Sequence, residues 1–436
     1  TRRYPLGPRA VHAVGYVGRI DEGELSRLDP GQYSGSTHIG KTGAERSYEA
    51  VLHGRTGYQQ VETNADGRPL RILNRTPPTP GQHIYLSIDI RLQAIAEKLL
   101  EGYNGAIVAL DPRNGEVLAL ASQPIYDPNP FVNGIDFLSY RTLNTSKDRP
   151  LLNRALRGIY PPGSTIKPLM ALAGLNYGVV NRYSEVFCPG FYRLPGVGRK
   201  FRDWQHSGHG RMDMDRAIAQ SCDVYFYNLA LNLGIDRIHE FLGQFSIGRL
   251  TGIDLPGEKG ALLPSQEWKR KVHKQPWFAG ATLSVGIGQG YFLATPLQLA
   301  HAVAVISQQG NNFAPRILHA TEDPGTRTRI PEAPRPLPPV AVKNPRYWDT
   351  VITSMIHVIA GKTGTAQVFT LGQSEKYNAK RLARNLQDHA LFIAFAPTEE
   401  PRIAVAVIAE HGGSGSATAA PLARKVMDAW LLNKYD

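Results

Sequence analysis

The sequence reads Pro161-Pro162-Gly163-Ser164-Thr165-Ile166-Lys167-Pro168 immediately before the apolar run 169–175. Turn-forming residues ahead of an apolar run predict the start of a buried helix, here over residues 164–177. Residues three apart share one face of a helix, so the Lys167 amine can reach the Ser164 hydroxyl. A serine becomes a good nucleophile only when a nearby base accepts its proton. Ser164 and Lys167 are therefore a candidate nucleophile and base.

Two later motifs are needed to interpret this pair, because Ser-x-x-Lys alone is common. Gln220-Ser221-Cys222-Asp223 lies inside a predicted helix over 214–233. Gly361-Lys362-Thr363-Gly364-Thr365-Ala366 precedes two predicted strands, 390–396 and 403–410. The order Ser-x-x-Lys, Ser-Asp-Asn, Lys-Thr-Gly is the signature of penicillin-binding proteins and class A β-lactamases. Here the middle motif is Ser-Cys-Asp, which keeps the Ser221 hydroxyl for proton relay but puts a carboxyl where Asn is commoner.

An earlier Lys-Thr-Gly, at Lys41 to Gly43, competes for the third role. It precedes the nucleophile and is followed by a predicted helix start, so we assign the role to the copy at Lys362. Residues 35–42 also match the nucleotide-binding pattern G-x-x-x-x-G-K-[ST]. That loop requires a buried apolar strand directly before it, whereas residues 25–34 contain turn formers and charges. We therefore reject nucleotide binding.

Predicted elements divide the chain near the breaker run Thr76-Pro77-Pro78-Thr79-Pro80-Gly81. The elements predicted beyond it are a strand over 84–88, a helix over 90–101, a β-hairpin with strands 105–110 and 117–121, and helices over 296–307 and 420–432. The proline-rich segment 323–345 is predicted to be an exposed loop. Strands at both ends with helices between them favour an α+β domain whose sheet joins distant segments.

Composition limits the classes of protein and partner. The chain has 436 residues, 42% of them hydrophobic, and a formal net charge of +12. That length allows one large core plus a smaller domain. The basic residues are dispersed, so a membrane surface or an acidic polymer fits the charge at least as well as nucleic acid, which we do not expect as a partner. No run approaches the ~18 apolar residues that span a bilayer, and the chain opens in ordinary polar sequence, so we expect a membrane anchor upstream.

Longer stretches resemble the class B penicillin-binding proteins, particularly their elongation type. They lie at 40–45, 51–54, 105–122, 157–168, 202–204 and 208–210, and at Gly286-Ile287-Gly288-Gln289-Gly290. The resemblance implies an antiparallel sheet with flanking helices plus a helical subdomain, over residues 81–436. It also implies a smaller N-terminal pedestal domain over 1–80. Members of this family usually have more sequence between Val358 and Ile359, so we expect a gap in the numbering there.

The same resemblance implies a reaction and a site. Its expected residues are Ser164, Lys167, Ser221, Asp223 and Lys362 in catalysis and Thr363, Gly364 and Thr365 in substrate binding. Ser164 would attack the penultimate D-Ala carbonyl of a stem pentapeptide, with the backbone N–H groups of Ser164 and Thr365 as the oxyanion hole. A neighbouring amine would then resolve the acyl-enzyme, whereas a β-lactam antibiotic would acylate Ser164 and persist.

Location and partners are also implied by the resemblance. We expect the inner membrane with the catalytic domain in the periplasm, a membrane glycan polymerase, and an elongation scaffold that contacts the pedestal. Two alternatives stay open: a septal class B transpeptidase, and a penicillin sensor that is acylated but turns over no peptide. A β-lactamase is disfavoured because it needs a residue dedicated to activating water and has no such N-terminal domain.

Four residues between the first two motifs suggest a metal site. Cys188, Asp203, His209 and Cys222 offer two thiolates, a carboxylate and an imidazole, a set that can close tetrahedrally around zinc without leaving a position for water. We therefore predict a structural zinc that pins the loop after Cys188 against the helix that carries Ser221. The alternatives are His206 in place of His209, a Cys188–Cys222 disulfide, and two unrelated buried thiols.

Overall fold

The computed structural model describes residues 2–33, 35–356, 360–368 and 383–435. Short elements make up its N-terminal part. They are α1 (Val11–Val14), β1 (Val17–Arg19), α2 (Glu22–Leu25), α3 (Pro30–Tyr33), β2 (His38–Gly40), α4 (Gly43–Ser47), α5 (Glu49–Leu52), β3 (Tyr58–Thr63) and β4 (Pro69–Thr76). The junction at 358–359, where we expected a gap, lies outside the described residues.

Longer elements follow. The first group is β5 (His83–Leu86), α6 (Ile90–Leu99), β6 (Gly105–Leu110), β7 (Val117–Gln123), α7 (Asn129–Val132), α8 (Phe137–Thr145), α9 (Arg154–Arg157), α10 (Lys167–Asn176), β8 (Val186–Cys188), β9 (Phe191–Arg193), β10 (Lys200–Arg202) and β11 (Gly210–Met212). The second group is α11 (Met214–Ala219), α12 (Asp223–Leu233), α13 (Ile235–Gly243), α14 (Gln266–His273), α15 (Ala279–Gly286), α16 (Pro296–Ser307), β12 (Leu318–Glu322), β13 (Arg329–Pro331), α17 (Arg346–Met355), β14 (Gly361–Ala366), β15 (His389–Ala396), β16 (Ile403–Ala409) and α18 (Ala420–Leu432).

A five-stranded antiparallel sheet organises the larger domain, in the order β14-β15-β16-β6-β7. The β6–β7 hairpin is confirmed, and its turn requires Gly115, whose φ is +79° and whose added Cβ would lie 2.5 Å from the Ala314 carbonyl oxygen. Strand β6 pairs with β16, so the sheet joins both ends of the domain. The α+β prediction is confirmed.

Helices cover both faces of this sheet. On one face α6 and α18 pack through a cluster that includes Leu92, Ile107 and Val426. On the other face lie α10, α12 and α16, and every residue of α16 is buried. Helix α16 is thus enclosed on all sides in the interior of the large domain, including its polar residues Gln298 and His301. Ser164 and Lys167 come at the start of α10, so the candidate nucleophile and base are held by a helix that is buried in the core.

The N-terminal part is less buried but is hydrogen-bonded to the large domain. Strands β3 and β4 form a hairpin whose residues are almost all exposed. Contacts to the large domain include the Tyr48 hydroxyl, which donates to the Asp254 carboxylate, and the Ala10 N–H, which donates to Glu97 Oε1 at 2.8 Å. The boundary at residue 80 stays a prediction.

Two sequence predictions need correction. The helix predicted over 214–233 is two helices, α11 and α12, which are separated at Gln220, Ser221 and Cys222. Ser221 has a φ of +56°, which a continuous helix cannot contain. The predicted loop 323–345 contains the short strand β13, which pairs with β12. Within residues 35–42 the structure has β2 inside the motif rather than before it, in agreement with the rejection of a nucleotide-binding loop.

No helix among the described residues combines the length and apolar character that crossing a membrane requires.

Candidate active site

Ser164 lies in a tight 3₁₀ turn, Gly163–Ile166, that leads directly into α10. The Lys167 N–H donates to the Ser164 carbonyl, so the two residues are one turn apart on a continuous helix. Gly163 begins the turn with a φ of +59°, a conformation that favours glycine. Ser164 is half-buried and Lys167 is fully buried, which leaves the hydroxyl at the surface of the cleft and the amine beneath it.

Lys167 joins the first motif to the second. Its Nζ lies 2.8 Å from the Ser221 carbonyl oxygen, 3.1 Å from Ser221 Oγ and 2.7 Å from Asp223 Oδ1. These three acceptors equal the number of donors on an ammonium group. The break between α11 and α12 makes the arrangement possible, because it turns both the carbonyl and the hydroxyl of Ser221 toward Lys167.

The third motif forms an edge strand. Among the described strands β14 pairs only with β15, so its other edge is open. Thr363 and Thr365 alternate with the buried Lys362 and Gly364, so the two threonines share the outward face. A Cβ on Gly364 would lie 2.8 Å from Thr165 Cγ2 and 2.9 Å from the Pro162 carbonyl oxygen. Only glycine therefore lets the Ser164 turn pack directly on this strand.

Lys362 lies close enough to Lys167 and Asp223 for their charges to act on it. Burial lowers its pKa from 10.5 to about 7, with a further lowering by the positive charge of Lys167 and an opposing effect of Asp223. Its Nζ is 3.4 Å from Thr363 Oγ1. The structure thus brings Ser164, Lys167, Ser221, Asp223 and the 362–365 strand into one cleft, as the sequence predicted, although their catalytic roles stay predictions.

A buried polar group supports the segment just before Ser164. The Tyr160 hydroxyl donates to Glu410 Oε1 at 2.7 Å, and Arg154 Nε donates to the same oxygen at 2.8 Å. Burial opposes ionisation of Glu410, but the hydrogen bond and charge of Arg154 lower its pKa overall. Sequence analysis missed these residues. Glu410 lies 256 residues after Arg154 and 250 residues after Tyr160, and no motif links it to either of them.

The predicted metal ligands also come together. Asp203 Oδ2 lies 3.4 Å from both Cys188 Sγ and Cys222 Sγ, and His209 Nδ1 lies 3.6 Å from Cys188 Sγ and 3.4 Å from Asp203 Oδ1. All four donor atoms lie within 4.8 Å of one another. His206 is exposed and is not part of the cluster. Both cysteines are free thiols.

This cluster is linked directly to the cleft. Asp203 accepts the Val224 N–H at 3.1 Å, and Asp223 accepts the Trp204 N–H at 3.2 Å. The loop that carries Asp203 is therefore hydrogen-bonded across to the start of α12, next to Ser221. Any change in the cluster acts on the backbone that holds the second motif.

Comparison with known proteins identifies the family. The model of the penicillin-binding protein transpeptidase domain matches residues 105–428, and that of the penicillin-binding protein dimerisation domain matches residues 1–86. The chain belongs to the class B penicillin-binding proteins. A curated relative from Acinetobacter baumannii, peptidoglycan D,D-transpeptidase MrdA, is 46% identical and is matched over 100% of this chain and 66% of its own length. The chain thus spans about two thirds of that relative.

Solved penicillin-binding protein structures have the same fold. Pseudomonas aeruginosa PBP2 in complex with WCK 5153 superimposes with a TM-score of 0.88 at 47% identity, over 100% of this chain and 91% of the other. The complex of PBP2 and MreC from Helicobacter pylori gives a TM-score of 0.85 at 32% identity, over 99% of this chain and 79% of the other. The predicted penicillin-binding fold with an N-terminal domain is confirmed.

Proposed function

We propose that this chain is the transpeptidase part of an elongation-type penicillin-binding protein, which cross-links peptidoglycan stem peptides through a Ser164 acyl-enzyme. The observation that carries the proposal is the position of Lys167 Nζ. Lys167 lies one helical turn after Ser164, and its Nζ is 3.1 Å from Ser221 Oγ. It is also close enough to Lys362, on the edge strand β14, for its charge to act on that residue. A nucleophile, a base, a relay hydroxyl and a substrate-binding edge thus meet in one place.

Acylation uses the Ser164 turn and β14 together. The stem peptide extends along the open edge of β14, with the hydroxyls of Thr363 and Thr365 on its terminal carboxylate. Ser164 Oγ attacks the penultimate D-Ala carbonyl as its proton passes to Lys167. The developing oxyanion is stabilised by the N–H groups of Ser164 and Thr365, each contributing about 3 to 4 kcal/mol to the transition state. The C–N bond then breaks, and the leaving D-Ala amine takes up a proton.

The proton route runs through the second motif. An ammonium group has three donors and no lone pair, so Lys167 can accept the Ser164 proton only after it has passed one of its own protons to one of its three acceptors. Ser221 Oγ is one of these acceptors, and Lys362 is the next basic group, with a pKa of about 7. A group that titrates near neutral pH is suited to exchange protons in both directions.

Deacylation decides the product. A second stem peptide brings an amine that attacks the Ser164 ester, forms the new amide and returns the proton to the serine oxygen. A β-lactam also presents an amide carbonyl to Ser164, but its leaving amine stays attached to the acyl group after the ring opens, so the acyl-enzyme persists. This is the physical basis for expecting penicillin to label the protein.

Labelling with penicillin tests the proposal directly. We expect one adduct per chain, and peptide mapping should locate it at Ser164. Ser164→Ala should abolish the adduct without changing the melting temperature. Ser36→Ala is the matched control, because Ser36 Oγ is another serine hydroxyl beside a base, 2.6 Å from His53 Nε2. An adduct that survives Ser164→Ala, or one that maps to Ser36, would overturn the assignment.

Turnover separates an enzyme from a sensor. The wild-type protein together with a glycan polymerase and lipid-linked substrate should produce cross-linked peptides that penicillin abolishes. A protein that binds penicillin but makes no cross-links under those conditions would be a sensor. Elongation is distinguished from septal function in cells, where inactivation should give round cells rather than filaments.

The four-residue cluster fits structural zinc, and we propose that it holds one. Donor atoms of a tetrahedral zinc with bonds of about 2.0 to 2.3 Å lie roughly 3.5 Å apart. Four of the contacts within the cluster are 3.4 to 3.6 Å, and the four donor atoms all lie within 4.8 Å of one another. Cys188, Asp203, His209 and Cys222 would supply four ligands and leave no position for water, so the metal would have a structural role. It would hold the Asp203 loop against the start of α12.

Metal analysis tests this part of the proposal. The purified protein should contain about one zinc per chain, and Cys188→Ser should lower both the zinc content and the melting temperature. His206→Ala, next to the cluster in sequence but exposed, should change neither. A metal-free protein with a Cys188–Cys222 bond would remove the proposal.

We further propose that the protein is anchored in the inner membrane, with these domains in the periplasm, where stem peptides and β-lactams are available. The proposed partners are a membrane glycan polymerase and an MreC-like scaffold that contacts the N-terminal domain. The Helicobacter pylori PBP2–MreC complex supports the second partner by similarity. Co-purification with the N-terminal domain intact and with it deleted would test which part binds.

A further inference from the structure

Three backbone segments meet beside Ser164 with no room for a side chain between them. A Cβ on Gly288 would lie 2.1 Å from the Gly163 carbonyl oxygen, and a Cβ on Gly163 would lie 2.7 Å from the Thr365 carbonyl oxygen and 3.0 Å from its nitrogen. Gly163 and Gly288 have φ values of +59° and +71°. The Ser164 turn is therefore packed between β14 and the loop 287–290.

Two hydrogen bonds from this loop hold the other two segments. The Gly163 N–H donates to the Gly288 carbonyl at 2.8 Å, and Gln289 Nε2 donates to the Thr365 carbonyl at 2.8 Å. The loop is itself fixed to the end of α15, because the Gly288 N–H donates to Val285 and the Gln289 N–H to Ser284, both at 2.9 Å. Gly288 and Gln289, two neighbouring residues of this loop, are thus hydrogen-bonded to the Ser164 turn and to β14.

The bond to Thr365 also orients its N–H. In an antiparallel pair a residue either exchanges both backbone bonds with its partner or turns both its N–H and its C=O away. Thr365 lies opposite Ala390, and its carbonyl is taken by Gln289, so it is of the second kind. Its N–H therefore points to the open edge, on the side of Ser164.

We propose that Gln289 is a positioning residue for the oxyanion hole. This inference rests on the function proposed above. By holding the Thr365 carbonyl, the Gln289 amide sets the distance of the Thr365 N–H from the reacting carbonyl, while Gly288 sets that of the Ser164 turn. Oxyanion donors work only within a narrow range of about 2.7 to 3.1 Å, so a small displacement slows the reaction without unfolding the site.

Acylation kinetics with a fluorescent penicillin test the role. Gln289→Met keeps the length of the side chain but removes the donor, and it should lower the limiting acylation rate about 10-fold. The dissociation constant of the complex before acylation should not change. Gln289→Glu should give a similar loss, because a carboxylate cannot donate to the Thr365 carbonyl. Rates are expressed per titrated site, so incomplete folding of one variant does not affect the result.

The matched control is Gln266→Met on α14. Gln266 Nε2 also donates one surface hydrogen bond, to Asp236 Oδ2 at 2.7 Å, but it lies outside the cleft. This variant should match the wild type in rate, and its melting temperature should equal that of Gln289→Met. Unchanged acylation in both Gln289 variants would overturn the proposal. So would a loss that appears only in the dissociation constant, because Gln289 would then bind the ligand itself.

The two proposals fail in different ways. A wild-type protein that penicillin does not acylate would remove the transpeptidase function, and the positioning role with it. A wild-type protein that is acylated normally, with equally reactive Gln289 variants, would remove only the positioning role.

Discussion

Lys362 is a lysine whose side chain has almost no access to water. It is 4% exposed and lies near the positive charge of Lys167, and these two effects lower its pKa to about 7. Burying an ammonium is unfavourable unless its charge is fully compensated. Lys362 therefore reduces the stability of the fold, which is consistent with a residue retained for chemistry.

Replacing Lys362 should stabilise the protein in a pH-dependent way. Below pH about 7 the buried ammonium destabilises the folded state by its full amount, and above that pH the unfolded chain binds a proton that the folded chain does not. Stability of the wild type therefore rises with pH toward 10.5, the ordinary pKa. Urea unfolding should show Lys362→Met more stable than the wild type at about pH 6, with a smaller difference at about pH 9. An equal difference at both values would contradict the shift.

Replacing only one partner of the Lys167–Asp223 ion pair should lower the stability of the fold strongly. Lys167→Met leaves the Asp223 carboxylate unpaired in a site where Lys167 is 0% and Asp223 8% exposed. Removing one partner of a buried pair costs about 3 to 5 kcal/mol, and loss of the base should lower acylation about 100-fold or more. Adding Asp223→Asn should restore part of the stability but none of the acylation. Recovery of both would show that Lys167 acts only through packing.

At the scale of elements, the sequence predicted those helices and strands whose bounds depend on residues close together in the chain. The Asn114-Gly115 turn predicted the β6–β7 hairpin, and the apolar run after Thr295 predicted α16 with its observed ends. The break at Ser221 could not be predicted, because residues 214–233 are apolar enough for one helix. What breaks the helix is tertiary: Lys167, far away in sequence, takes the Ser221 carbonyl as an acceptor.

Two glycine substitutions separate the effect of the close approach between the 287–290 loop and the Ser164 turn from the effect of a positive φ. Gly288→Ala places a Cβ 2.1 Å from the Gly163 carbonyl oxygen, whereas a Cβ on Gly178 meets no described atom within 4 Å, although its φ of +68° is similar. Gly178→Ala should cost about 1 kcal/mol of strain. Gly288→Ala should cost several times more, and should also slow acylation. Equal losses of stability in urea would mean that the loop moves aside.

At the scale of the whole molecule, Asp254 makes one of the polar contacts that join the N-terminal domain to the large domain. The Asp254 carboxylate accepts the Tyr48 hydroxyl and also the backbone N–H groups of Ile317 and Leu318, at 2.7 and 3.0 Å. Burial, together with the charge of Asp254, raises the pKa of Tyr48, so the phenol stays a donor. A single carboxylate thus fixes α4 and β12 against each other.

Substitutions on the two sides of this contact should lower the free energy of unfolding by different amounts. Tyr48→Phe removes one hydrogen bond to a charged group and should cost about 1.5 to 3 kcal/mol. Asp254→Ala should cost more, because it also leaves the Ile317 and Leu318 N–H groups without their acceptor. Urea unfolding followed separately by signals from each domain would measure both. Equal costs would mean that water replaces the carboxylate at β12.

The order of strands was also beyond local signals. Periodicity identifies β6, β15 and β16, but it does not say that β6 lies next to β16, since that pairing depends on burial shared across the whole domain. The three motifs that identified the cleft succeeded because each one specifies chemistry rather than topology. The Tyr160–Glu410 contact, which joins residues 250 positions apart without a motif, was found only in the structure.

The pairing of residues 105–110 with residues 404–409 has a consequence for biogenesis. A ribosome must synthesise nearly the whole domain before strand β16 is available to β6. Until then the apolar β6–β7 hairpin has no neighbour on one side and stays open to chaperones. For the periplasmic location proposed above, this delay is an advantage, because the sheet can close only after the final strands have crossed the membrane.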